Sequence, residues 1–234
     1  MLITYGKNIK KRKIVYIPTI HHCLEKRDIL ENILGTKKAN QYFFDTKKFW
    51  KIVDVYIKKI NVKIDRIFWE SWTGTEKELA AARKDYGEIT NKLTDDYLIE
   101  IILKETGRLD KISNIVLELI KKDAVLEETE SRKLLNEHKK INDDMTRLSK
   151  KFLENKTYSI EQQNKIDKNL KIIQKRDRYI AKQINDNLLN GETGILLIGK
   201  AHNVLSYLSN DIEIITDSNI LDMAEKINNK YFKN

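Results

Sequence analysis

The chain has 234 residues, 41% of them hydrophobic, enough to bury a core as one large domain and too apolar for a disordered segment. Its single cysteine, Cys23, excludes an internal disulfide framework and fits a reducing compartment, and no apolar run approaches the roughly 20 residues that a bilayer crossing needs. The formal charge is +9, from 44 basic and 35 acidic residues, but the lysines are interspersed with glutamate and aspartate along helical segments. One tight cluster, Lys7, Lys10, Lys11, Arg12 and Lys13, comes with no nucleic-acid motif. It reads as a solvated turn, and nucleic acid is not expected as a partner. The N-terminus lacks the apolar stretch of a signal peptide, so the expectation is a cytoplasmic protein with no membrane span.

Residues 14–17 are a continuous run of apolar and β-branched side chains, which predicts a buried strand, and Pro18 fits its end, where no ladder donor is required. The histidines His21 and His22 follow at once. Residues 24–34 have helical spacing, and 46–59 predict a second helix with Phe49, Trp50, Val53 and Ile57 on one face. A second strand, 64–69, ends on Glu70, between Trp69 and Trp72. Residues 76–86 and 95–104 read as helices.

The middle of the chain changes character. Leu134, His138, Ile141, Met145, Leu148 and Phe152 step by fours and threes, a heptad seam on which His138 reads as a register residue at the core edge. After a polar break the seam resumes through Ile166, Leu170, Ile173, Asp177, Ile180, Ile184 and Leu188. Two long helices joined by a short turn make an antiparallel hairpin, and Gly191 stops the second. Residues 194–198 and 212–215 read as further buried strands, and 219–231 as a closing helix. Strands alternating with helices predict a single α/β domain over 1–234, its mostly parallel mixed sheet flanked by helices and interrupted by the hairpin at approximately 108–190.

In such sheets ligands bind beyond the carboxyl ends of the strands. His21 and His22, Glu70 and His202 all stand at strand ends. An imidazole titrates near neutrality and can serve as general base or metal ligand, and a carboxylate beside it can orient the ring or add a hard oxygen ligand. His21, Glu70 and His202 would therefore suit a divalent metal or acid–base chemistry, while each alone would equally suit a structural role. Which of His21 and His22 faces such a site is not fixed by periodicity. Gly199, in I-G-K-A-H, would let the backbone turn or a ligand approach. Arg176 could bind an anionic group or form a surface salt bridge. Asp177 falls on the apolar stripe, where a charge needs a partner.

Four short motifs carry a resemblance: P-T-I-H (residues 18–21), F-W-E (68–70), R-D-R-Y-I-A (176–181) and G-K-A-H (199–202). Together they resemble the superfamily of the erythromycin esterases, the TraB/PrgY-type proteins with their Tiki protease relatives, and the ChaN-type haem-binding proteins. Pro18 stands in place of the first motif's glycine, and Thr19 and Ile20 occupy the turn where the esterases often carry an acidic residue. The resemblance implies a mixed α/β sheet with a helical insertion and a cleft holding His21, Glu70, Arg176 and His202. Its members include hydrolases of esters or peptides and non-catalytic binders of haem, metal or metabolite. A small-molecule or peptide substrate is the partner expected, and a homo-oligomer is compatible because hairpin seams can swap between chains.

Overall fold

The structure is a computed structural model that describes residues 11–20, 27–70, 72–73, 111–155 and 160–232. The apolar runs become the strands β1 (Arg12–Thr19), β2 (Arg66–Trp69), β3 (Val125–Glu127), β4 (Thr193–Gly199) and β5 (Ile212–Ile215). They form one sheet in the order β3-β2-β4-β1-β5, and every neighbouring pair is parallel. Parallel strands are covered on both faces, which is why β4 is buried at all seven positions.

Six helices accompany the sheet among the described residues: α1 (Arg27–Leu34), α2 (Thr36–Lys59), α3 (Lys111–Ile120), α4 (Arg132–Asn155), α5 (Ile160–Asn187) and α6 (Ser218–Phe232). Strand alternation divides the core in two. Val15, Ile17, Ile67, Trp69, Ile195 and Leu197 face α2, α3 and α6, packing on Phe49, Trp50, Val116 and Ala224. Ile14, Phe68, Leu196 and Ile198 face the other way, onto Ile180, Ala181 and Ile184 of α5 and Leu188 just beyond it. The result is three layers with the sheet in the middle.

Helix α4 packs on α5. The pairings Asp144–Lys165 and His138–Arg176 run in opposite directions along the two helices, as in an antiparallel hairpin. The seam on α5 is buried from Asp177 onward, whereas Ile173 is half-buried and Leu170 is 55% exposed, because only the second half of the helix lies over the sheet. The helix ends at Asn187, and Gly191 takes a left-handed φ of 85° in the turn to β4.

The solvated turn expected for the basic cluster is corrected at Arg12 and Lys13, which are the first residues of β1. Arg12 forks onto Asp211 at 2.7 and 2.8 Å and donates to the carbonyls of Asn185 and Leu188 at the end of α5. Local charge density hid this role, since the partners lie far along the chain. The same edge is tied by Arg66, bidentate to Glu192 at 3.0 Å and paired with Glu127. Lys7 and Lys10, His21 to Cys23, and the helices expected at 76–86 and 95–104 lie outside the described residues.

Candidate active site

At the carboxyl edge the chain leaves β1 and β4 in opposite directions across the sheet, toward β2 and toward β5. Crevices at such places receive ligands in open α/β folds. Here the cleft has a volume of about 500 Å³, and Glu70, His138, Arg176, Gly199 and His202 line it among others.

Each polar residue arrives for a local reason. Glu70 lies two residues beyond Phe68, so alternation aims it at the α5 side, and its N–H is held by the carbonyl of Leu197 at 2.9 Å. In the G-x-x-H turn the His202 N–H bonds the carbonyl of Gly199 at 3.0 Å, closing a turn that carries the imidazole back over the sheet. The Gly199 N–H donates to Glu70 Oε2 at 2.6 Å. The glycine's left-handed freedom is not used: only Gly35 and Gly191 among the described glycines take a positive φ.

Helix α5 brings Arg176 and Asp177, which are 3% and 2% exposed. Asp177 Oδ1 accepts from His202 Nδ1 at 2.5 Å, and its Oδ2 accepts from the Asn203 N–H at 2.9 Å. The other ring nitrogen, Nε2, lies 3.1 Å from Glu70 Oε1. Burial works to lower the His202 pKa, but its bonds to Asp177 and Glu70 overcome this and push it up to about 9. The ring is therefore an imidazolium at neutral pH, donating from both nitrogens.

Arg176 is no surface salt bridge. It donates through Nε to Glu130 Oε2 at 3.1 Å, pairs again with Glu130 through a second nitrogen, and reaches Glu70 Oε1 at 3.4 Å. Glu130 is fully buried. It is placed by the carbonyl of Trp72, which accepts from the N–H groups of Thr129 and Glu130 at 3.0 and 2.8 Å. Trp69 and Trp72 stack beneath at 6.2 Å. Nothing in E-E-T-E-S-R signals that its last glutamate is buried, since the partners sit 46 and 58 residues away in sequence.

His138 is half-buried where α4 meets α5. It lines the cleft, and its Nδ1 accepts from Arg176 at 2.5 Å. Burial, then the charges of Arg176 and His202, hold its pKa down, so this ring is neutral. Thus Glu70, Arg176, Asp177, Gly199 and His202 come together as one network, joined by Glu130 and His138, while His21 and His22 lie outside the described residues.

No group of three or more His, Cys, Asp or Glu suited to a metal is found among the described residues. Glu70 and His202, once its Nε2 has lost its proton, would have suitable donor chemistry, because Asp177 orients the ring as carboxylates do behind metal-ligating histidines. No described helix is long and apolar enough to cross a membrane. No family model, curated protein or solved structure matches this chain.

Proposed function

We propose that the cleft is a hydrolytic site for an ester or peptide bond, worked by Glu70, Arg176 and His202. The observation that carries the reading is the ionisable network itself. Five charged side chains, Glu70, Glu130, Arg176, Asp177 and His202, are interlocked at the carboxyl edge of the sheet, and three of them face a cleft. A buried ionic cluster contributes less to stability than well-packed apolar residues of similar volume, so function is the better reason for its presence.

The roles follow from charge. Among the described residues lining the cleft, Glu70 is the one carboxylate, and it takes the proton of an attacking water. The water oxygen bonds to the carbonyl carbon, and the positive charges of Arg176 and His202 stabilise the oxyanion. Collapse breaks the bond to the leaving oxygen or nitrogen, which receives the proton from Glu70. His202 already holds its proton at neutral pH and so acts as donor and positioner instead of base. A divalent cation held by Glu70 and His202, with His21 as the third ligand implied by the resemblance, would supply a water of lowered pKa.

The test is hydrolysis of an ester and peptide panel by the native protein and by Glu70→Gln, each with and without chelator. Glu70→Gln keeps the shape and loses the base, and a fall in kcat/KM of about 100-fold or more is expected with thermal stability monitored alongside. Equal rates for both proteins on every substrate turned over would remove Glu70 from the chemistry. A second reading, retention of haem, metal or metabolite without turnover, draws support from the mutual satisfaction of the network's hydrogen bonds; an unshifted haemin Soret band would dispose of its haem version.

A further inference from the structure

The cleft has two unlike sides. Its floor is ionic, but the wall carried by α2 and α6 is apolar, with Tyr42, Ala224, Ile227 and Phe232. Phe232 is 52% exposed, and its ring meets Tyr42 edge-on at 5.5 Å. An exposed aromatic inside a concavity is surface that a ligand can cover. A third feature is supplied by β1. Thr19, the last residue of β1, is 4% exposed and lines the cleft, yet its Oγ1 has no hydrogen-bond partner among the described residues. A buried hydroxyl without a partner is costly and calls for one.

We propose that the substrate is an amphiphilic ester whose acyl chain lies along the α2–α6 wall while its carbonyl sits at the floor, within reach of the Thr19 hydroxyl. This rests on the hydrolytic reading above. The acyl C–O bond breaks, the water oxygen bonds to the acyl carbon, and the proton taken from water passes to the leaving alkoxide. The products are a carboxylic acid and an alcohol. A peptide offers its carbonyl equally well, but a polar backbone on both sides of the bond would leave the apolar wall uncovered. The volume of about 500 Å³ accommodates a single chain or ring system of moderate size.

The experiment uses p-nitrophenyl esters from acetyl to dodecanoyl, which vary the acyl chain at a constant leaving group. With each methylene placed on the wall, kcat/KM rises by about fourfold until the cleft is full, then levels. Phe232→Ser, at an exposed position, flattens that slope. Thr19→Val keeps or raises the unfolding temperature and raises KM. In parallel, decanoic and butanoic acids compete with a fluorescent fatty-acid probe, a measurement that needs no turnover. Turnover indifferent to acyl length, or a Thr19→Val protein of lowered stability and unchanged KM, would overturn the substrate class and leave hydrolysis standing. Length-dependent binding with no turnover would keep the class and overturn hydrolysis. Absence of both turnover and binding would overturn the two together.

Discussion

His202 is suspended between two carboxylates, and that gives it a pH signature. Its pKa in the folded chain, about 9, lies above the ordinary 6.5 of an unfolded histidine. A raised pKa contributes stability that is complete below the unfolded value and is lost as pH climbs through the folded one. The displacement corresponds to at most about 3 kcal/mol. His202→Gln should therefore be less stable than the native protein near about pH 6, with the gap closing toward about pH 10. Thermal melts of both proteins across that range check it, and a gap of constant size would mean the histidine is not protonated in the fold. The residues of this network were unequally legible. His202 and Glu70 end apolar runs, and Asp177 interrupts an apolar stripe, so each is anomalous within its own segment. Glu130 is anomalous only in three dimensions, because its burial depends on Trp72 and Arg176, and its neighbours in sequence are all polar.

Elements were legible in proportion to how much of them is buried. Strand β4 is buried throughout and reads directly from its sequence. Strand β3 spans three residues, of which Val125 is 50% exposed and Leu126 alone is buried, so no periodicity exists to find. Helix α2 begins at Thr36, ten residues before its expected start, because the polar stretch T-K-K-A-N-Q conceals a buried face through Ala39, Tyr42 and Phe43. A tight inter-element junction lies at Gly194. A Cβ there would stand 2.8 Å from Ile14 Cδ1, 3.0 Å from Phe68 Cε2 and 3.3 Å from Leu188 Cδ1. Those atoms belong to β1, β2 and the residue just after α5, so relief of one crowds another. Gly194→Ala is expected to cost about 1–3 kcal/mol, read as a lower urea midpoint at constant slope. An unchanged midpoint would show that the layers yield freely at this junction.

Across the whole molecule, the strand order was not legible. Hydrophobic runs reveal that strands exist, but two buried parallel strands look alike in sequence, and nothing local states that β4 lies between β1 and β2. That order has a consequence for assembly. β1 and β2 share no ladder; each pairs with β4, which comes more than 120 residues after β2. Long-range pairing of this kind folds slowly, and half-formed sheets expose edges. A fragment ending at residue 190 should lack cooperative unfolding and bind a hydrophobic dye. A sharp thermal transition for it would show that the halves close without β4. The same topology orders the assembly of the cleft during synthesis. Glu70 and Arg176 emerge from the ribosome before β4, but the turn that carries His202 follows it. A nascent chain therefore has no complete floor to its cleft until the strand that completes the sheet has taken its place.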